Sequence, residues 1–252
     1  MIKPNMIIKI FVLVVALSFS VFSQGQVNGD YQTRAGGNWN ANATWQVRSG
    51  GAWVNCSAGD YPGATSGAGT VNILSGHNVT LNISPANTVG ALTFAAGNSN
   101  SVAFGSNWTL TISGNITFAT PNANNTETLN VATGTLNCGA VVMSGTGNNN
   151  RVQTLLLSSG VINVGGNITM VNATQNAIAV SGAGTINISG DFNPGGGTFT
   201  AGTGTVNYNG AAQNLAGLTY YNLIISNKPF VQNIYNILLY VNGSLFQNHL
   251  YF

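Results

Sequence analysis

Catalysis by side chains needs acids, bases or nucleophiles within reach of one another, and this chain of 252 residues offers few of them. Its acidic residues are Asp30, Asp60, Glu127 and Asp191. Hydrolysis of a glycosidic bond by the common route needs two carboxyls about 5 to 10 Å apart. Asp30 and Asp60 fall in an N-terminal stretch unlike the rest of the chain, and Glu127 and Asp191 are too far apart in the repeat described below to share a column or a face. A calcium-dependent lyase wants clustered carboxylates beside a basic group, and the sequence has no such cluster. His77, in the hairpin-turn sequence Ser75-Gly76-His77-Asn78, reads as an exposed polar turn residue, and His249 lies near the chain end without an evident partner. Cys56 and Cys138 show no zinc-type spacing with histidine, and no nucleophile elbow or phosphate loop occurs. The reading is therefore a non-enzyme with neither cofactor nor metal. One group of residues still points to a ligand: Trp39, Trp45 and Trp53 carry flat apolar faces that could stack on sugar rings, which makes them candidate carbohydrate contacts.

The positioning elements begin after a leader. Lys3 and Lys9 precede the apolar run Ile10 to Phe22, which ends at Ser23-Gln24-Gly25, the pattern of a secretory signal peptide over residues 1–23. The run is shorter than the roughly twenty residues that span a bilayer, and no second candidate follows, so the mature chain is expected to carry no membrane span. Without the leader, Arg34, Arg48, Arg151 and Lys228 face the four carboxylates and the net charge is zero. No basic patch exists to neutralise a phosphate backbone, so nucleic acid is not an expected partner.

Charged residues make up 4% of the chain, against roughly 25% in ordinary globular domains. Asn, Thr, Ser and Gly take their place, while Val, Ile, Leu and Phe recur regularly enough to build a core, so the chain reads as folded. An oxidising destination permits a bridge between Cys56 and Cys138. The simpler reading is a buried thiol, because Cys138 stands where the repeats hold Ile, Val or Tyr.

The repeat is a four-residue phrase: Thr70-Val71-Asn72-Ile73, Thr80-Leu81-Asn82-Ile83, Thr109-Leu110-Thr111-Ile112, Thr128-Leu129-Asn130-Val131, Thr135-Leu136-Asn137-Cys138, Val161-Ile162-Asn163-Val164, Thr185-Ile186-Asn187-Ile188 and Thr205-Val206-Asn207-Tyr208. Alternation with period two is a strand with its aliphatic face buried and its Thr and Asn outward. Glycines such as Gly76, Gly114, Gly139, Gly165, Gly190 and Gly210 follow most copies, and a second short strand often comes next, as in Asn115-Ile116-Thr117-Phe118. The expected unit is strand, tight corner, strand, loop. Its length, about 20 to 27 residues, suits one coil of a parallel β-helix. On the order of seven coils over residues 70–250, stacked at about 4.8 Å, would form a rod about 35 Å long. An antiparallel sandwich is the competing fold. Stacking requires Val71, Leu136, Ile162 and Ile186 to be buried, and the recurring Asn is expected to form an amide ladder along the stack before any ligand site. Ice binding by Thr rows such as Thr109 with Thr111 is disfavoured, because Asn interrupts the rows.

Residues 24–69 hold the three Trp with Tyr31 and Tyr61 and read as a cap, since an open solenoid end would leave backbone groups and core bare. Here the sequence resembles a known group. Gly37-Asn38-Trp39-Asn40, Ala43-Thr44-Trp45, Tyr61-Pro62-Gly63 and the run Thr70 to Leu81 look like the opening of large exported β-strand-repeat surface proteins of Gram-negative bacteria. Gly202 to Gly210 and Tyr221-Asn222-Leu223-Ile224-Ile225 are similar to repeats of filamentous-haemagglutinin-like adhesins. The resemblance implies an all-β, single-stranded right-handed parallel β-helix, over residues 70–252 with the Trp-rich cap before it. It further implies secretion, an extracellular or cell-surface location, an adhesive role, glycans or a host or neighbouring cell surface as partners, and no catalytic residues. Residues 220–252, rich in Leu, Tyr and Phe without a closing cap, are expected to lead into further repeats or a C-terminal sorting domain.

Overall fold

The computed structural model describes residues 26–226 other than 123, 146–149 and 172–174, together with the backbone of the strands Leu239–Val241 and Ser244–Phe246. The expected signal peptide and His249 lie outside the described residues. The chain folds as a β-solenoid of three parallel sheets. Sheet I stacks Thr70–Ile73, Ala91–Phe94, Ile116–Phe118, Val141–Met143, Ile168–Met170 and Phe192–Asn193. Sheet II stacks Asn78–Leu81, Asn100–Phe104, Asn125–Ala132, Arg151–Leu157, Asn176–Val180 and Thr198–Thr200. Sheet III stacks Thr109–Thr111, Thr135–Cys138, Val161–Val164, Thr185–Ile188, Thr205–Tyr208 and Asn222–Ile225.

The chain visits sheets I, II and III in turn, which gives five complete coils, starting at Ala91 and ending at Tyr208, with partial rungs before and after. Against the seven coils expected, the described stack is shorter, and each coil has three strands where the sequence pointed to two. The strand missing from the expected unit in most coils is that of sheet II, as in Arg151–Leu157, which does not carry the Thr-aliphatic-Asn phrase, although the Thr128 copy lies in the same sheet.

Burial follows the alternation. Val71, Leu136, Ile162 and Ile186 are all fully buried, in register with neighbours of their own type: Leu110, Leu136, Ile162, Ile186 and Val206 form one inward column of sheet III. Cys138 stands in the next column between Ile112 and Val164, then Ile188 and Tyr208. In sheet I, Phe94 and Phe118 stack face to face at 4.5 Å, as in-register rungs require.

Glycines at the corner from sheet III to sheet I explain the repeat length. Gly69, Gly90, Gly114, Gly139, Gly166 and Gly190 stack as a column in which each N–H donates to the carbonyl of the glycine one coil earlier, at 2.5 to 3.0 Å. A Cβ on Gly114 would stand 2.6 Å from the oxygen of Gly90, and one on Gly139 would stand 2.7 Å from that of Gly114. No side chain fits between coils that approach so closely. The turn at Gly76, with φ +82°, is a corner between sheets I and II, so Thr70–Ile73 and Asn78–Leu81 are not the arms of a hairpin.

At the N-terminal end Tyr31–Thr33 adds to sheet I in parallel, and Trp45–Ser49 and Ala52–Asn55 continue it antiparallel. Gly37–Asn38 adds to sheet II beside Asn78–Leu81. Trp39 and Trp45 come off these strands into the hydrophobic core, edge to face at 5.0 Å. At the other end Tyr220 is buried, its hydroxyl paired with that of Tyr208 at 2.9 Å. Tyr221, next to it, is exposed.

Candidate binding surfaces

The tryptophans divide. Trp39 and Trp45 are fully buried, and their indole nitrogens donate to backbone oxygens of Pro62 (2.9 Å) and Trp39 (2.6 Å). Neither offers a ring face to solvent, so a three-Trp sugar platform is not what the fold builds. The physical reason is that the end of the stack needs large apolar groups over its first rung, and both indoles have backbone acceptors inside. Trp53 lies apart, half-buried on the edge strand Ala52–Asn55 with the Arg48 guanidinium 5.6 Å from its ring centre.

Each carboxylate is held by its own fold. Asp30 accepts from the backbone N–H of Thr70 through one oxygen and of Val27 through the other, both at 2.8 Å. Asp60 accepts from the Tyr31 hydroxyl at 2.8 Å. Asp191 accepts from the N–H and side-chain amide of Asn214 at 2.7 and 3.0 Å. Glu127 points inward and is fully buried, with one oxygen accepting from Gln153 Nε2 at 3.2 Å. Burial pushes the Glu127 carboxyl up to about 8, the Gln153 amide acting in the opposite direction.

Cys56 and Cys138 are both free and buried, and the expectation of a possible bridge gives way to two separate core thiols. Burial pushes each thiol up to about 12, with Asp60 adding to the shift at Cys56, so neither is nucleophilic near neutrality. Burial and the hydrogen bond to Asp60 likewise raise the Tyr31 hydroxyl. His77 is half-buried, its Nδ1 2.8 Å from the hydroxyl of the buried Thr33, which also accepts the N–H of Leu74. The expected exposed turn residue is thus a half-buried corner residue held against Thr33. Among the described residues no three metal-ligating side chains gather, and no helix is long and apolar enough to cross a membrane.

Concave surfaces lie on the outer faces of sheets III and I. On sheet III the expected amide ladder is present: Asn137 donates to Thr111 (3.1 Å), Asn163 to Asn137 (2.8 Å), Asn187 to Asn163 (2.8 Å) and Asn207 to Asn187 (2.9 Å). A shallow groove of about 340 Å³ runs beside it, with Ser113, Ser189 and Asn209 on its rim. The ladder consumes one donor and one acceptor of each central amide, leaving one N–H and one lone pair apiece.

The larger concavity, about 620 Å³, lies on the outer face of sheet I, where Gln26, Val27 and Asp30 meet the outward column Asn72, Thr93 and Thr117. Its lining is amide, hydroxyl and small apolar, and its one carboxylate is already bound by two backbone amides. Asn72 and Thr93 occupy the outward slot of the repeat and belong to the Asn and Thr columns that the sequence shows; what it does not show is that residues 26–30 return over the sheet. Comparison with family models, curated proteins and solved structures gives no match for this chain.

Proposed function

We propose that this chain is a non-catalytic, adhesin-type β-solenoid that is exported by a Gram-negative bacterium and works at the cell surface as a rigid spacer and binding face. The observation that carries this reading is the employment of the acidic residues. Asp30, Asp60 and Asp191 accept hydrogen bonds that tie coils or corners together, and Glu127 is inside the core. A hydrolase or lyase would leave at least one carboxyl in a cleft free for the reaction, whereas Asp30, the carboxyl that lines the sheet I concavity, has both oxygens bound by backbone N–H groups. The Lys-flanked apolar leader and the near absence of surface charge support export and a hydrated outer face. The test is to express the tagged chain, shave intact cells with protease, and assay the purified chain for cell attachment and for sugar release from polysaccharides. Loss of the tag on shaving with attachment and no sugar release agrees with the proposal; retention inside the cell or released sugar contradicts it.

A second reading, a carbohydrate-binding module, is favoured by the sheet I concavity. Its volume falls within the range of small-ligand sites and its lining can hydrogen-bond hydroxyls without charge. A glycan-array signal abolished by Asn72→Ala with Thr117→Ala but kept by Trp39→Phe would place sugar there; a signal that depends on Trp53 alone would move it to the edge strand.

A further inference from the structure

A polar column runs through the core where none is needed for solubility. Asn100, Glu127, Gln153 and Asn176 are paired rung to rung on the inward side of sheet II, and all four are buried, at 1% exposure or less. Asn100 and Asn176 do the same work three coils apart. Asn100 donates to the carbonyls of Ala95 (2.9 Å) and Ile73 (3.2 Å), and Asn176 to those of Val171 (3.4 Å) and Met143 (3.2 Å). In each case one acceptor is five residues back in the same coil and the other ends a sheet I strand one coil earlier. Gln153 donates to Ala119, the residue after a sheet I strand, and to Glu127. The column seals the corner between sheets I and II, where carbonyls would otherwise be buried without donors.

Every other member of this column is a primary amide, which is neutral and carries its own donor. A carboxylate at Glu127 would have neither property. Among the described residues its Oε1 has no hydrogen-bond partner, nor do the side-chain oxygens of Asn100, Gln153 and Asn176 on the same column. A group of acceptors with one proton missing is the arrangement that a neutral acid, with an O–H to donate, would relieve. We propose that Glu127 enters the fold as the neutral acid, standing in for an amide of the column, and that loss of its proton in alkaline conditions loosens the corner between sheets I and II.

The surroundings agree. The strands beside Glu127, Asn100–Phe104 and Arg151–Leu157, contribute Arg151 as their one charged group, and the facing strands of sheets I and III contribute only the thiol of Cys138. The upward displacement of the Glu127 carboxyl is caused by burial first, and the Gln153 amide is the one other influence on it. Its ordinary value is 4.5 and its folded value about 8. The unfolded chain therefore releases the proton first as pH rises, and the folded state loses stability between those two values and levels off above the upper one.

The experiment compares unfolding of the full chain with that of Glu127→Gln from pH 5 to pH 9. The expected result is an unfolding constant that rises on the order of several hundredfold more in the wild type than in the variant, with Glu127→Gln the more stable at pH 8. Difference infrared spectra at pH 7 supply an independent reading, in which a protonated carboxylic acid carbonyl band is present in the wild type and absent from Glu127→Gln. Parallel pH profiles, a missing acid band, or a Glu127→Gln variant less stable at every pH would each overturn the proposal; the last would mean that the column needs a carboxylate.

Discussion

Replacing Gly114 by alanine should break the solenoid at a defined corner. The new Cβ would lie 2.6 Å from the oxygen of Gly90, an overlap of roughly 0.7 to 1.0 Å against ordinary carbon–oxygen contact distances. Both partners are backbone, so no rotamer change relieves it. The coils must separate, which stretches the 2.7 Å bonds from Gly114 to Gly90 and from Gly139 to Gly114. Two weakened hydrogen bonds at about 1 kcal/mol each, with the packing lost around them, give about 3 kcal/mol. For a domain of this size that lowers the melting temperature by about 6 to 12 °C. Gly165→Ala is the control, because its Cβ would meet nothing closer than 3.6 Å, and its cost should stay within about 0.5 kcal/mol. Thermal melts followed by circular dichroism distinguish the two. Equal melting temperatures for Gly114→Ala and the wild type would refute the stacked-glycine explanation of the repeat length.

Further outcomes follow from the same geometry. Asn163→Ala removes a donation to Asn137 and an acceptance from Asn187, and denaturant titration should show a loss of about 1 to 2 kcal/mol. Ala140→Asn should stabilise the chain by about 0.5 to 1 kcal/mol, because Asn115, Asn167 and Asp191 at the same corner each accept an N–H from the following coil (3.1, 2.8 and 2.7 Å) and Ala140 interrupts that series. Trp45→Phe strands the Trp39 carbonyl and should cost about 2 to 3 kcal/mol, whereas Trp53→Ala, on the half-buried edge strand, should cost under about 1 kcal/mol in the same titration.

The inward and outward alternation was legible from single residues: the phrase beginning at Thr135, Val161, Thr185 or Thr205 names the buried and exposed positions of sheet III, and its Asn names the ladder. Which sheet a phrase joins was not legible. Thr70–Ile73 belongs to sheet I and the Thr128 copy to sheet II, because alternation is the same on every face of a solenoid and only corner geometry separates the faces. Sheet II also hid itself. Its inward Asn100, Glu127, Gln153 and Asn176 put polar residues where an alternation test expects aliphatics. Of the candidate contacts, the aromatic type of Trp39 and Trp45 was informative for the end of the stack and misleading for a ligand, since an indole with a backbone acceptor is as well suited to the interior as to a sugar.

Stacking itself is tested most directly by a cross-link between rungs. Thr128 and Thr154 are in-register partners on the outer face of sheet II, with hydroxyls 3.0 Å apart. In a Cys56→Ala, Cys138→Val background, Thr128→Cys with Thr154→Cys should oxidise to an intramolecular disulfide, since neighbouring rungs put the two Cα atoms about 4.8 Å apart. Thr128→Cys with Leu156→Cys, two residues out of register and about 8 Å apart, should not. No bridge in the first pair, or equal bridging in both, would contradict the parallel in-register solenoid.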